Sequence, residues 1–188
     1  MIRSTRRLRN PDMTRFVFLL LVGWIPAVVA AYGADASCRP MLDAAQKLYT
    51  VPVHIYSTET AAYNKGKVKE GEIIYVNNSS YLRINGQWRK SPITEQQRKE
   101  IQESAEKEDV GSTCRLVREE AVNGEAARLY SMHHQTADEK VDSQVWISKA
   151  RGVPLKQETD MDVGGMAGKS HRTMRYEYSN VQAPAGIR

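Results

Sequence analysis

Residues 114–135 read CRLVREEAVNGEAARLYSMHHQ and carry the clearest fold signal in the chain. Two runs of alternating apolar and polar residues lie on either side of Asn123-Gly124. Asn-Gly favours a type I′ turn, because both central positions of that turn require positive φ, and such a turn joins antiparallel strands. The segment therefore predicts a β-hairpin with strands at 114–122 and 125–135.

Strand patterns continue on both sides of this hairpin. Val51, Val53 and Ile55 alternate with polar residues, and a second Asn-Gly pair at Asn85-Gly86 predicts another tight hairpin. Asn64-Lys65-Gly66 is typical of a looser connection between strands. The remaining predicted strands lie at 72–76, 81–84, 141–149, 153–161 and 169–181.

Two segments have a helical period instead. In 39–50 the apolar residues Met41, Ala44, Ala45 and Leu48 recur at helical spacing. In 93–108 only Ile93, Ile101 and Ala105 are apolar, so this helix should lie on a surface. Thr94 and Gln97 have the spacing of a capping box.

These elements predict an α+β, mainly β fold. Consecutive hairpins imply one antiparallel sheet, here of about seven or eight strands. A sheet of that size curls and needs a covering layer. We therefore expect a half-barrel with one N-terminal helix and one lid helix.

The first 36 residues are typical of a cleaved secretory signal peptide. Five Arg residues precede an apolar run at 16–31, and Ala34-Asp35-Ala36 has the small-x-small pattern of a cleavage site. The alternative is a membrane anchor, but the run is shorter than the roughly 20 apolar residues of a span and contains Pro26. Sec export is favoured, and the twin-arginine route stays open because Arg6-Arg7 precedes the run.

Cleavage after Ala36 would change the charge of the chain. The whole sequence has 27 Lys plus Arg and 22 Asp plus Glu, and the segment removed contains five Arg and two Asp. The mature chain would therefore keep 22 basic and 20 acidic residues, a net charge of +2. It contains no large basic cluster, which argues against nucleic acid as a partner.

Cys38 and Cys114 are the two cysteines of the chain. An even pair in an exported protein usually forms a disulfide, and this one would close a loop of about 76 residues. The alternative is a pair of unbonded, buried thiols. We predict the bridge.

The sequence contains no recognisable catalytic pattern. Residues 163–170, VGGMAGKS, imitate a phosphate-binding loop, but Val163 replaces its first Gly and a strand pattern follows instead of a helix. His133 and His134 are neighbours, so on a strand they point to opposite faces and cannot chelate one metal together. We therefore expect no catalytic residues, no metal site and no cofactor.

Residues 145–158, VWISKARGVPLKQE, resemble a strand–turn–strand segment of the LolA-like superfamily of exported proteins. Residues 176–181 are similar to the last strand of that family. The resemblance implies a signal peptide at 1–36, one LolA-like domain at 37–182 and a disordered tail at 183–188. The chain departs from the family because it has no Phe after Phe16 and Phe18, whereas a groove for several acyl chains is expected to contain Phe. The resemblance therefore implies the fold more strongly than it implies lipoprotein-carrier function.

The resemblance also implies a function. Family members bind acyl chains in the hollow of the sheet, so we expect a monomeric, non-catalytic periplasmic protein whose partner is a lipid or another hydrophobic ligand. The alternative is an envelope protein-interaction or stress-sensor module without lipid cargo. Apolar alternation and aromatic content select the ligand-lining candidates, which we expect on one concave surface: Val53, Ile55, Ile74, Val76, Leu82, Ile84, Trp88, Leu116, Leu129, Val145, Ile147, Leu155, Met174 and Tyr176.

Overall fold

The computed structural model describes residues 35–108, 111–165 and 168–187. It confirms an α+β, mainly β half-barrel, in which one curved, unclosed antiparallel sheet carries two helices. The predicted signal peptide falls almost wholly outside the described residues. The boundaries proposed for the domain and the tail stay predictions.

The described residues form nine strands, where about seven or eight were expected. The helices are α1 (Arg39–Lys47) and α2 (Glu95–Glu108). The strands are β1 (Val53–Ala61), β2 (Lys69–Val76), β3 (Ser79–Ile84), β4 (Gln87–Lys90), β5 (Thr113–Val122), β6 (Glu125–Gln135), β7 (Lys140–Ser148), β8 (Pro154–Val163) and β9 (Gly168–Glu177).

The order of the strands is β4-β3-β2-β1-β9-β8-β7-β6-β5. Every pairing joins strands adjacent in sequence except that of β1 with β9, which runs from His54 opposite Glu177 to Ala61 opposite Ser170. The hairpin stretches β1–β4 and β5–β9 are therefore two parts of a single sheet. Strands β4 and β5 are its two edges, and α2 lies in the connection between them.

Both Asn-Gly hairpins are confirmed. Asn85 and Gly86 have φ values of 51° and 77°, and Asn123 and Gly124 have φ values of 52° and 82°. The left-handed conformation at both positions is what a type I′ turn requires, and Asn and Gly tolerate it best. The local sequence therefore fixes the register of β3 with β4 and of β5 with β6.

Helix α1 has Pro40 in its first turn and ends at Lys47, three residues before the predicted end. Its Ala44 is buried against Val145 and Ile147 of β7, with Met41 packed beside them. Lys47 Nζ donates a hydrogen bond of 2.9 Å to the carbonyl oxygen of Arg151 in the β7–β8 turn. Helix α1 therefore lies across one face of the sheet, which we call the helix face.

Helix α2 begins with the predicted capping box. The Thr94 backbone N–H donates to Gln97 Oε1 at 2.9 Å, and the Gln97 N–H donates to Thr94 Oγ1 at 3.2 Å. Arg98 attaches the helix to the helix face, with its guanidinium 4.5 Å from the centre of the Tyr75 ring and a 2.7 Å bond to Ser80 Oγ. Ile101 is 60% exposed, so polar and cation–π contacts hold this helix more than its apolar stripe does.

The opposite side of the sheet, which we call the open face, has its own apolar clusters. Ala127, Leu129, Trp146 and Leu155 form one cluster, and their neighbours in it are Val122 and Tyr178. None of the described helix residues belongs to this cluster, whose members lie on strands β5 to β8 and in the segment after β9. A second cluster, formed by Ile74, Val76 and Tyr81, contacts Trp88 and Val181.

The predicted disulfide between Cys38 and Cys114 is confirmed, with a Cα–Cα distance of 4.8 Å. It joins the 3-10 turn Ala36–Cys38, directly before α1, to the start of the edge strand β5. Nearby, the Cys114 N–H donates to Ser37 Oγ at 3.1 Å. Among the described residues, no helix has the length and apolar character needed to cross a membrane.

The disulfide yields the first prediction. Replacing both cysteines by alanine should lower the free energy of unfolding by about 2–4 kcal/mol, because the bridge restricts a long loop in the unfolded chain. Urea denaturation of the oxidised protein and of the variant measures the difference. Reductant should bring the wild-type midpoint close to that of the variant; a midpoint that reductant does not move would contradict the prediction.

Candidate functional site

Four residues form a cross-strand row of aromatic and basic side chains on the open face. Trp146 of β7 is opposite Lys156 of β8, Lys156 is opposite Arg175 of β9, and Arg175 is opposite Tyr56 of β1. Directly opposite residues on one face are close enough for their side chains to interact. We call Trp146, Lys156, Arg175 and Tyr56 the aromatic–basic row.

Each cation of the row lies over the ring next to it. Lys156 Nζ is 4.6 Å from the centre of the Trp146 ring, and the Arg175 guanidinium carbon is 4.4 Å from that of Tyr56. Each cation also pairs with a carboxylate two residues further along its own strand, Lys156 with Glu158 at 2.6 Å and Arg175 with Glu177. The rings and carboxylates together restrict where the two positive charges can lie.

Trp146 fixes one end of the row. It is buried in the open-face cluster, and its indole N–H donates to the carboxylate of Glu120 on β5. Strand β6 lies between β5 and β7, and it contributes the small residue Ala127 to this part of the face. Hydrogen bonds from Arg118 and Trp146 lower the pKa of Glu120 below its ordinary value, so the carboxylate that accepts the bond stays ionised.

A depression of about 460 Å³ lies beside the row. The apolar part of its lining comes from the Tyr56 ring, Val122 and Leu155. Leu155 is 6% exposed and therefore lies at the floor. Val122 belongs to β5, whereas Tyr56 belongs to β1, five strands away in the sheet order. The sheet must curl towards the open face here for both to line one depression.

A second depression, of about 350 Å³, adjoins the first and shares Val122, Asn123 and Leu155 with it. Tyr178 lines it and donates a 2.5 Å hydrogen bond to the Pro154 carbonyl oxygen. Burial raises the pKa of the Tyr178 phenol above its ordinary value, and the neighbouring Tyr176 raises it further. The Tyr178 side chain is therefore uncharged and held in place at the side of this depression. We call the two adjoining depressions the Val122 trough.

The other end of the open face is polar. A depression of about 600 Å³ is lined by Arg115, His133, Asp142, Asp160 and others. His133, Asp142, Asp160 and His171 form another cross-strand row, in which His133 Nδ1 lies 2.7 Å from Asp142 and His171 Nδ1 lies 2.8 Å from Asp160. Each carboxylate thus has its own histidine as partner, and the two adjacent aspartates have little need of a shared cation.

No set of three or more His, Cys, Asp and Glu side chains in the described part of the chain is arranged to hold a metal ion. In both cross-strand rows the charged side chains instead form pairs, and each has a partner of opposite charge or a hydrogen-bond partner next to it. The Val122 trough, which combines apolar walls with basic residues at one side, is the feature of the open face best suited to bind a ligand.

The fourteen ligand-lining candidates do not share one surface. The strand registers place nine of them on the helix face and five on the open face. The helix-face set is Val53, Ile55, Leu82, Ile84, Leu116, Val145, Ile147, Met174 and Tyr176. The open-face set is Ile74, Val76, Trp88, Leu129 and Leu155.

The division has a physical reason. Alternation within a strand identifies which residues share a face, but it does not say which face of the neighbouring strand continues it. Residues 73–76, Ile-Ile-Tyr-Val, are apolar on both faces of the strand, so their pattern does not indicate which face is buried under the helices. Val53 is buried in a cluster against which Leu48 packs, and Val145 is buried in a cluster that contains Ala44 of α1. Val53 and Val145 therefore belong to the core of the helix face.

Two of the candidates are among the residues that line the Val122 trough. Leu155 belongs to the open-face set, whereas Tyr176 lies at the end of β9, where the chain passes the trough, although the register assigns it to the helix face. Val76 lines a smaller cavity of about 220 Å³ near the end of α1. Ile84 and Leu116 are about half exposed, near opposite edges of the sheet. Whether any of the fourteen contacts a ligand stays a prediction.

The set of ligand-lining candidates does not include Tyr56, Val122 or the two cations. Tyr56 lies in the polar half of the β1 pattern, between His54 and Thr58, so apolar alternation does not select it. Val122 directly precedes the Asn-Gly turn, where its position in the hairpin is clear but its long-range neighbours are not. The β8–β9 pairing brings the two cations together, and the β1–β9 pairing adds Tyr56 to them.

No protein-family model matches the chain, and no curated protein matches it. Several solved structures resemble its fold at low sequence identity. The lipoprotein LppX of Mycobacterium tuberculosis is 13% identical, with 79% of this chain and 97% of that chain covered and a TM-score of 0.43. MucB in complex with MucA(peri) is 14% identical, with 79% and 60% covered and a TM-score of 0.45. A LolA superfamily protein from Nitrosomonas europaea is 11% identical, with 76% and 92% covered and a TM-score of 0.28.

The rim of the trough yields a pH prediction. Glu125 accepts hydrogen bonds from Arg151 at 2.5 and 3.0 Å, and Arg151 above all lowers the pKa of Glu125 below its ordinary value. The folded protein therefore favours the ionised form of Glu125 over the protonated form. The stabilisation it contributes is complete above the ordinary Glu pKa of about 4.3 and is lost as the pH falls through the lower pKa of the folded protein.

Glu125→Gln should therefore flatten the loss of thermal stability below about pH 4.5. At pH 7 it should cost about 1 kcal/mol or less, because solvent screens this partly exposed pair. Melting temperatures of the wild type and the variant between pH 3 and pH 7 test both parts. Parallel curves over the whole range would show that this carboxylate does not contribute to acid sensitivity.

Proposed function

We propose that this protein is an exported, non-catalytic binding protein of the periplasm, and that it binds a lipid or acyl chain in the Val122 trough. The observation that supports this most directly is the pair of adjoining depressions of about 460 and 350 Å³ around Val122 and Leu155. Ligand sites commonly have volumes of 300–1,000 Å³ and combine apolar walls with a few placed polar groups.

The trough has walls of the right kind for such a ligand. Val122, Leu155 and the rings of Tyr56 and Tyr178 offer apolar surface, and the Tyr178 hydroxyl is already bonded to the backbone. An acyl chain that covers this surface removes it from water and gains about 25 cal/mol for each Å² buried. The helix face is less suitable, because α1 already covers its central residues Val145 and Ile147.

A neutral probe tests the proposal. Nile red should increase in fluorescence on binding the wild-type protein, and Val122→Asp should reduce its affinity about tenfold or more, because the charge would have to be buried under the probe. Val117→Asp is the matched control, since Val117 lies on the same strand, is 43% exposed and does not line the trough. Melting temperatures show that both variants are folded.

Equal loss of affinity in the two variants would place the probe elsewhere on the protein. The absence of any Nile red response from the wild-type protein would contradict a hydrophobic-ligand function altogether. In that case the second candidate function, an envelope protein-interaction or stress-sensor module without lipid cargo, would take its place.

One observation specifically favours that second candidate. Strand β5 is an edge of the sheet, and it carries Leu116 and Val117, which are 52% and 43% exposed. An edge strand has backbone groups without strand partners on one side, and an extended segment of another protein can pair with them. Leu116→Asp should then weaken capture of that protein without altering Nile red binding.

Export is part of the proposal. We propose cleavage after Ala36, which leaves the disulfide, the domain at 37–182 and the tail at 183–188 in a monomer of the periplasm. Mass spectrometry of the protein from a periplasmic extract should give an N terminus at Ser37. An intact N terminus at Met1 in the membrane fraction would show retention of the apolar segment as an anchor.

A further inference from the structure

Among the residues that the structure describes, the two charged ones that line the larger depression of the Val122 trough are both cations, Lys156 and Arg175. They are directly opposite each other on neighbouring strands. We propose that the ligand of the trough is a single-chain amphiphile whose anionic head group, a carboxylate or a phosphate, binds between Lys156 and Arg175. This inference rests on the proposed function and specifies its ligand.

A β-bulge places the cations beside the apolar floor. The register of β7 with β8 shifts between Trp146 and Ile147, which are opposite Lys156 and Pro154, so that Leu155 has no partner. Consecutive residues of a regular strand point to opposite faces. Here both Leu155 and Lys156 line the same depression, and an apolar chain on the first would end at the second.

The two cations are already oriented. The Trp146 ring lies beside the Lys156 ammonium, and the Tyr56 ring lies beside the Arg175 guanidinium. A guanidinium that lies over a ring keeps N–H groups at its edges, and these can donate to an anion. An anionic group bound there would therefore need little reordering of these side chains.

The present partners of the cations can be exchanged. Glu158 and Glu177 are each more than one-third exposed, as are the side chains of Arg175 and, marginally, Lys156. Ion pairs at such positions contribute little to stability, because water screens them. A head group that bridges both cations, with its chain on Leu155 and Val122, gains contacts that neither glutamate makes.

The second depression does not have this charge character. Its lining includes Arg151 together with the carboxylates Glu125 and Glu177, and Arg151 is held by Glu125 in a two-bond ion pair. That end therefore has one cation and two carboxylates, which does not favour an anionic head group. We therefore place the head group at the Lys156 and Arg175 end of the trough and the far end of the chain towards Tyr178.

Three ligands with the same twelve-carbon chain test the inference: dodecanoate, dodecyl phosphate and dodecanol. Each is titrated below its micelle concentration against the folded mature protein with bound Nile red, and its dissociation constant is obtained from displacement. At least one of the two anions should bind about tenfold more tightly than dodecanol, as expected for charge-assisted hydrogen bonds. The ratio between the two anions distinguishes a carboxylate from a phosphate head group.

Variants locate the effect. Lys156→Gln and Arg175→Gln should each reduce the affinity for the anions relative to that for dodecanol about fivefold to tenfold. Lys169→Gln is the matched control, because Lys169 is a cation at 84% exposure outside the trough, and it should change none of the three affinities.

The outcomes separate the two proposals. Equal affinity for the anions and the alcohol, or variants that do not change the ratio, would overturn the head-group inference and leave hydrophobic binding intact. A protein that binds neither Nile red nor any of the three ligands would overturn the proposed function itself. If Lys169→Gln reduced the ratio of anion to dodecanol affinity as much as the trough variants do, the preference for anions would come from the overall charge of the protein. That result would overturn the assignment to Lys156 and Arg175.

Discussion

The pairing of β1 with β9 is the constraint on which the rest of the structure depends. It joins residues more than a hundred positions apart, from His54 opposite Glu177 to Ala61 opposite Ser170. Closing so large a loop costs conformational entropy, which a long antiparallel ladder has to offset. Without this ladder the chain would be two separate hairpin stretches. With it, β4 and β5 become the edges of one sheet, and α2 runs in the connection between those edges.

The same pairing builds the candidate site. Tyr56 belongs to the first stretch of hairpins, whereas Trp146, Lys156 and Arg175 belong to the second, so the aromatic–basic row exists only across the β1–β9 ladder. The ladder also places Tyr56 where it and Val122 can line one depression. The disulfide acts at another point, because it fixes the start of the edge strand β5 to the turn before α1.

How far the sequence predicted this structure depends on how local each signal is. The two Asn-Gly turns and the capping box of Thr94 and Gln97 are local signals, and both predictions are confirmed. The period-two segments are strands in the structure, but their ends differ from the predicted ones by up to four residues, as at β9, which ends at Glu177. The partner of β1 is not local, and no residue of β1 specifies it. The face assignment failed for the same reason, since residues 73–76 are apolar on both sides and alternation alone cannot relate one strand to the next. No pattern in the sequence predicts the bulge at Leu155, although the bulge decides which face of the sheet that residue occupies.

The hairpin formed by β5 and β6 relates the two candidate functions. Its turn end contributes Val122 to the trough, while Leu116 and Val117, halfway along β5, lie exposed at the edge of the sheet. Trp146 of the aromatic–basic row is bonded to Glu120, which lies between these two points on the same strand. A protein segment paired along β5 would therefore contact the strand that holds one wall of the trough and one anchor of the row. Binding of a lipid and binding of a protein would then act on a single element of this fold, and each could alter the affinity for the other.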